Sequence, residues 1–154
     1  MNEVQLVGGT PEDRKRILER LDQYLAANAR FDWVALQDIW SGAPEALFFN
    51  LNGHTYRGRE HWTNLWKYYQ QNVNSSYWTP FDTGGVVSDE IAVVWCHRHT
   101  HSDWVGQDPP PAARPYGEEF ISRSTMVFRK EDGDWRVVHV HFSTASAAPR
   151  PGGV

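Results

Sequence analysis

Histidines at alternating positions are the residues of this sequence whose types and spacing best suit metal binding or proton transfer. His97, His99 and His101 are separated by single residues, and His139 and His141 repeat that spacing near the end of the chain. Alternate side chains of a strand lie on one face, so neighbouring imidazoles in such a run would be about 6.6 Å apart. A His-x-His pair can bind a metal ion, whereas a neutral imidazole also hydrogen-bonds at a polar surface or interface. Both interpretations are open at this point.

The length and charge of the chain limit the functions that these residues can serve. The chain has 154 residues, the size of one domain, and its 15 Lys and Arg against 19 Asp and Glu give a net charge of -4. Charges of both signs are spread along the sequence, so we expect no nucleic-acid partner. The start of the chain lacks the pattern of a signal peptide, and no apolar run approaches about 20 residues. We therefore predict a cytoplasmic protein without a membrane partner.

The cysteine and aromatic content adds two constraints. Cys96 is the single cysteine, which excludes an intrachain disulfide and a cysteine-based metal site and suits a reducing compartment. It lies in an apolar run. Eight Trp, six Tyr and seven Phe make the chain 14% aromatic. Such residues either fill a core or line a pocket for a flat apolar ligand.

Helices are predicted mainly in the first half of the chain. Thr10 followed by Pro11 and two acidic residues marks a helix start, and apolar residues then recur at helical spacing as far as Asn28. A short second helix fits residues 32–40, and a third helix, aromatic on one face, fits residues 59–71.

Strands are predicted around and after the third helix, which indicates an α+β domain over residues 1–146. Asn52-Gly53 favours a two-residue turn between short strands. The extended segments are 46–51, 54–56, 75–81, 84–88, 91–103, 118–130 and 134–144. Residues 105–117 contain four prolines and are expected to form an exposed loop near a pocket mouth. Residues 147–154 are expected to be a disordered tail.

The last predicted strand resembles a known superfamily. The stretch GDWRVVHVHFS at 133–143, preceded by STMVFRKED, is similar to the association domain of calcium/calmodulin-dependent protein kinase II. SDEIAVVWCHR, ending at Arg98, and GHTYRG at 53–58 agree with the same pattern. The resemblance implies the nuclear transport factor 2-like, or SnoaL-like, fold: a cone in which three helices cover a curved, mixed and mostly antiparallel sheet around a pocket. Fold alone does not select an activity within this superfamily.

Strand alternation, together with this resemblance, divides the side chains into a pocket face and a convex face. The more apolar set is assigned to the pocket; in the last two strands it comprises Phe120, Ser122, Ser124, Met126, Phe128, Val138, Val140 and Phe142. The histidines then lie on the convex face, where this superfamily commonly forms a dimer. The fold places one strand between the two histidine groups, roughly 9 to 10 Å apart, so we predict no metal site and no cofactor. Association domains have arginines at the positions of Met126 and Phe142. Because both residues are uncharged in this chain, a neutral, largely apolar ligand is favoured.

The resemblance also suggests which residues do chemistry. By comparison with ketosteroid isomerases, Tyr24 takes the position of the oxyanion-hole tyrosine, and Asn50 lies near the position of the aspartate base. A phenol can donate to an enolate, but an amide cannot take a proton, so Asn50 is expected to orient a ligand. Arg98 must find acceptors in a structural carboxylate or in a ligand. His54 and His61 are candidate proton carriers, and the predicted substrate-binding residues are Trp40, Trp62, Trp66, Cys96, Ser124, Met126, Phe128, Val140 and Phe142.

Three functions remain open from the sequence. The first is a homodimeric pocket protein that, if catalytic, is a cofactor-free lyase, dehydratase, cyclase or isomerase acting on an aromatic or polycyclic apolar molecule. The second is a non-catalytic oligomerisation or ligand-carrier domain that associates through the convex face. The third is a metal-independent carbonic anhydrase in which Thr125, Ser143 and the histidines supply the polar groups. The sequence does not identify the substrate.

Overall fold

The computed structural model describes residues 4–111 and 114–152, apart from the side chains of residues 75 and 76. Three helices and seven strands follow each other in an α+β order, as predicted. The helices are α1 (Pro11–Ala29), α2 (Trp33–Leu36) and α3 (Gly58–Asn72). The strands are β1 (Gln5–Gly8), β2 (Leu47–Phe49), β3 (Thr55–Arg57), β4 (Val73–Val87), β5 (Ile91–Trp104), β6 (Phe120–Glu131) and β7 (Asp134–Thr144).

The helices begin where the sequence predicts and pack an apolar face on the sheet. The Thr10 hydroxyl accepts a hydrogen bond from the backbone N–H of Asp13 at 3.0 Å and caps α1. α3 follows β3 without a loop because Gly58 adopts a φ of 79°, which a residue with a side chain rarely tolerates. Among the described residues, no helix is long and apolar enough to cross a bilayer.

All seven strands form one sheet in the order β1-β4-β5-β6-β7-β2-β3. The central pairs β4–β5, β5–β6 and β6–β7 are antiparallel, whereas β1 and β2 each join the sheet in parallel. This mixed, mostly antiparallel sheet confirms the predicted fold class. β6 lies between the two histidine-bearing strands, also as predicted.

The predicted elements and the structure differ at three places. The second helix covers only α2, because the chain past it bends to the sheet, where Trp40 bridges to Val137. The segments predicted at 75–81 and 84–88 are one strand, β4, interrupted by a bulge between Phe81 and Gly84. β1 was missed because four residues of an exposed strand give no clear alternation.

The predicted division of faces is confirmed except at one residue. The side chains of Cys96, Arg98, Met126 and Phe142 are all buried on the concave face, under the helices. Val138 was assigned to this face, but it lies at the register shift in β7, where Phe128 pairs with Val137 and the preceding residue pairs with His139. This bulge reverses the alternation, so Val137 is buried and Val138 is only half-buried.

Candidate functional site

Arg98 lies on the concave face of β5 and has no carboxylate partner among the described contacts. Its side chain is fully buried, which is costly for a cation. Nε donates to the Ser122 hydroxyl on the paired strand at 3.1 Å, and Nη1 donates to the Tyr24 hydroxyl at 3.4 Å. The guanidinium lies between the rings of Trp78 and Phe142, 4.6 and 4.5 Å from their centroids. Nη2 has no partner within the described part of the chain.

Arg114 supplies a second buried cation to the same place. It comes from the proline-containing loop between β5 and β6, and only 6% of it is exposed. The guanidinium lies 5.3 Å from the centroid of the Trp78 ring that Arg98 also contacts, and 4.6 Å from that of Tyr116. It donates to the Ser102 hydroxyl in a short contact, while its Nε has no described partner. The prediction of an exposed loop is therefore wrong at Arg114; residues 112 and 113 of this loop lie outside the described residues.

The pKa values of the surrounding groups follow from this burial. Loss of water raises the pKa of Tyr24 to about 12, and the nearby Arg98 only partly opposes the increase. Tyr24 is therefore a hydrogen-bond donor at neutral pH and not a base. Burial also lowers the pKa of Arg114; the Tyr116 and Tyr69 phenols oppose this change, and the charge of Arg98 adds to it.

Aromatic side chains from the helices close this face. Trp62 and Trp66 of α3 meet edge to face at 5.0 Å, and Trp62 stacks on Phe142 at 6.2 Å. Tyr24 of α1 meets Trp40 at 5.4 Å and stacks on Phe142 at 6.5 Å. The spacing of the α1 and α3 apolar faces is what brings these rings together over the sheet.

Several buried polar atoms in this interior have no hydrogen-bond partner among the described residues. They are mostly donors: the indole N–H groups of Trp40, Trp62, Trp66 and Trp78, with Arg98 Nη2, Arg114 Nε and the Asn28 amide. Buried polar groups are rarely left without a partner, because each costs about 1–3 kcal/mol. The interior therefore contains several donors whose hydrogen bonds the described residues do not satisfy.

In the described part of the chain, the buried charged side chains are all cationic. Within the described ranges, the buried polar and charged side chains include three arginines but no aspartate, glutamate or histidine. Arg20, the third arginine, is paired elsewhere with carboxylates. The interior around Arg98 therefore presents positive charge and donors, without a conventional general base.

The predicted catalytic residues divide between this interior and the surface. Tyr24 and Arg98 are together, as described. Asn50 is buried, but its side-chain oxygen accepts from the Asn52 backbone N–H at 3.0 Å and from the Tyr69 hydroxyl at 3.2 Å. His54 and His61 are exposed. No described contact joins these three to Tyr24 or Arg98, so their catalytic roles stay predictions without geometric support.

The predicted substrate-binding residues all lie in the buried interior. Tryptophans from the α2–β2 connection and from α3 cover strand residues; the set is Trp40, Trp62, Trp66, Cys96, Ser124, Met126, Phe128, Val140 and Phe142. Cys96 and Ser124 contact each other at 3.3 Å across the β5–β6 pair. Whether these residues touch a ligand stays a prediction.

The convex histidines make pairwise contacts with carboxylates and rings. His97 and Asp82 are 3.4 Å apart, His99 and Glu119 are 3.1 Å apart, and the Phe81 ring stacks on both imidazoles. His139 Nδ1 donates to the Leu47 carbonyl at 2.6 Å. No group of three or more potential metal ligands gathers within residues 4–111 and 114–152.

An open cleft of about 320 Å³ also lies on the convex face. It is lined by Trp95, His97, Arg123, Thr125, His141, Ser143 and two flanking residues. The polar groups proposed for carbon dioxide hydration therefore do share a surface, although that activity stays a prediction.

Two functional candidates were missed from the sequence. Trp78 could have been found by extending the strand alternation by one strand, since it pairs with Thr100 on the face of Arg98. Arg114 gave no such signal, because a proline-rich loop has no periodicity. The burial of its side chain depends on tertiary packing.

Comparison with known proteins places the chain in a structural context. The model of the SnoaL-like domain family matches residues 17–147. A nuclear transport factor 2-like protein from Salmonella enterica has 19% identity and a TM-score of 0.76, over 95% of this chain and all of the other. A candidate dehydratase of the same superfamily from Streptomyces avermitilis has 19% identity and a TM-score of 0.73, over 90% of this chain and all of the other.

A third similar structure supports the resemblance seen in the sequence. It is a candidate calcium/calmodulin-dependent kinase type II association domain from Thiobacillus denitrificans, with 17% identity and a TM-score of 0.66, over 94% of this chain and 99% of the other. No curated protein matches the chain. Identities this low show the fold and not the activity.

Proposed function

The chain belongs to the SnoaL-like domain family, and we propose that it binds a flat aromatic molecule with acceptor oxygens in the interior between the sheet and the helices. The unpaired donors around Arg98 are the observation that carries this proposal. Ligand sites are commonly apolar with a few convergent polar groups, and this interior has that composition.

The stacking surfaces favour an aromatic ligand. Trp62, Trp66, Trp78 and Phe142 are buried rings with planar faces, and the three tryptophans have indole N–H donors at their ring edges. A flat molecule can stack on such faces while its oxygens accept from those donors. Because the donors are covered in this structure, binding requires some of the interior side chains to move.

Binding, as in the ligand-carrier alternative, is better supported than proton transfer by the protein. Tyr24 and Arg98 can stabilise a developing oxyanion, which is the contribution expected in a cofactor-free lyase or isomerase. The buried residues described around them include no group suited to abstract a proton. A lyase or isomerase reaction would thus depend on a base from the substrate or from solvent. The Streptomyces structure is a candidate dehydratase, and a dehydratase would use this oxyanion stabilisation.

The convex sheet face supports the proposed homodimer. Tyr77, Val86, Ile91 and Trp95 are large side chains of β4 and β5 that are 39 to 48% exposed. Burying such groups against a second copy is favourable. Light scattering coupled to size exclusion tests this: a monomer that persists at high protein concentration contradicts it.

A binding experiment tests the interior site. We expect 2-naphthol and 2-acetylnaphthalene to change tryptophan fluorescence and to raise the melting temperature. Phe142→Leu, which removes a ring beside Arg98, is expected to weaken binding, while Trp95→Phe on the convex face is the control. The proposal fails if no naphthalene probe binds, or if Trp95→Phe weakens binding and Phe142→Leu does not.

A further inference from the structure

Two buried guanidinium groups share one aromatic ring and lack a counter-ion in the described structure. Arg98 and Arg114 are 0% and 6% exposed, and both lie over Trp78. The described ion pairs include neither of them. Like charges brought together away from water repel each other, so this arrangement is unfavourable unless an anion joins it.

We propose that Arg98 and Arg114 together bind one carboxylate group, so that the ligand of this interior is a planar aromatic acid. The inference rests on the proposed function, because it names the class of molecule bound at the same site. It departs from the neutral ligand predicted from the sequence. That prediction considered only the strand positions Met126 and Phe142, whereas the second cation comes from a loop.

The donors that remain unpaired fit a carboxylate. Arg98 Nη2 and Arg114 Nε have no described acceptor, and neither has the indole N–H of Trp78, the ring that both guanidiniums contact. A carboxylate has two oxygens and about four acceptor sites, so its acceptor capacity is sufficient for all three donors. Guanidinium–carboxylate hydrogen bonds are charge-assisted and are about twice as strong as neutral ones.

The groups already in contact with the guanidiniums do not replace an anion. The Ser122, Ser102 and Tyr24 hydroxyls accept hydrogen bonds but carry no charge at neutral pH, since the pKa of Tyr24 is about 12. The rings around Arg114 provide cation–π attraction, which stabilises a cation only partly when water is excluded.

Matched acids and amides test the inference by isothermal titration calorimetry. Benzoate and 2-naphthoate are compared with benzamide and 2-naphthamide, which have nearly the same shape but no charge. We expect the acids to bind wild-type protein at least about tenfold more tightly than the amides, a difference of about 1.4 kcal/mol. Arg114→Met is expected to remove this preference, Arg114→Lys to restore part of it, and the exposed Arg123→Met to leave it unchanged.

Thermal unfolding without ligand gives a second readout, which does not depend on the ring system chosen for the probe. Removing an uncompensated buried charge is expected to leave the melting temperature of Arg114→Met equal to or above that of wild type. A decrease of more than about 4 °C, with equal loss of acid and amide binding, would show a structural role and overturn the inference.

The outcomes separate this inference from the proposed function. If acids and amides bind equally well and Arg114→Met changes neither, the carboxylate site is refuted while the aromatic binding site stands. If neither acids nor amides bind to the wild-type protein, both proposals fail together.

Discussion

Two buried arginines of this fold, Arg20 on α1 and Arg98 on β5, have contrasting hydrogen-bond partners. Arg20, 2% exposed, donates to Asp38 at 2.8 Å, to Asp134 at 3.0 Å and to the Trp135 carbonyl at 3.0 Å. Arg98, fully buried, donates only to two hydroxyl groups among the described contacts. One guanidinium is therefore neutralised by the protein itself, and the other is not.

The contrast distinguishes an arginine that holds the fold from one that is available to a ligand. The carboxylates around Arg20 come from the α2–β2 connection and from the start of β7, so the cluster ties α1 to both. The chain thus supplies acids where an arginine is structural. Around Arg98 and Arg114 it supplies aromatic rings and hydroxyls, which leave charge and donors uncompensated.

The largest expected effect is the loss of the structural arginine. Arg20→Met is expected to lower the free energy of unfolding by about 3 kcal/mol, because it removes several charged hydrogen bonds and leaves Asp134 with fewer partners. Urea denaturation measures the change. Arg98→Met is expected to change stability by less than about 1 kcal/mol, since no paired charge is broken. Equal losses in the two variants would refute the contrast.

The second prediction concerns the acid that faces Arg20. Hydrogen bonds from Arg16, reinforced by Arg20, hold the pKa of Asp134 well below its usual range. A lowered pKa in the folded state stabilises the protein above about pH 4, and this contribution is lost as the pH falls through the lowered value. Asp134→Asn is therefore expected to cost about 2 kcal/mol at pH 7 and progressively less below pH 4. Urea denaturation across this pH range measures it.

The control for Asp134 is Asp89→Asn, at an exposed side chain in the β4–β5 turn. It is expected to leave stability at pH 7 within about 0.5 kcal/mol of wild type. A constant difference between Asp134→Asn and wild type from pH 7 to pH 2 would contradict the assigned ion pairs.

The third prediction compares two arginine–serine pairs of the same sheet. Arg98 Nε donates to Ser122 at 3.1 Å in the buried interior, and Arg123 Nε donates to Ser143 at 3.0 Å on the exposed face. Ser122→Ala is expected to cost about 1–2 kcal/mol, because a buried donor loses its acceptor. Ser143→Ala is expected to cost less than about 0.5 kcal/mol, because water replaces the lost hydroxyl. Chemical denaturation of both variants checks the difference.

The sequence predicts much of the fold because strand alternation and helix starts are local signals. The Thr10 cap and the buried face of β5 and β6 followed from such signals and are confirmed. Val138 was misassigned because a bulge adds one residue and reverses the faces, which no residue type at that position announces.

The candidate site was only partly predictable, for a related physical reason. Tyr24 and Arg98 lie on regular elements, so their inward direction followed from spacing. Arg114 lies on an irregular loop, where the direction of a side chain is set by contacts that form only in the folded chain. The sequence also gives no sign that Arg98 lacks a carboxylate, since an absent partner can be recognised only from tertiary structure.

A small effect at neutral pH is expected at Tyr24, a buried residue that connects α1 to Arg98. Its pKa is raised to about 12, so its neutral form stabilises the fold fully below pH 10, and this contribution is lost as the pH rises through 12. Tyr24→Phe is expected to cost less than about 1 kcal/mol at pH 7. Between pH 10 and 12 its unfolding free energy should fall less steeply than that of wild type, by up to about 1.4 kcal/mol per pH unit. Tyr68→Phe, at an exposed tyrosine, is the matched control. If Tyr24→Phe and wild type lose stability in parallel above pH 10, the Tyr24 phenol is not buried beside Arg98, and the interior is more hydrated than the unpaired donors imply.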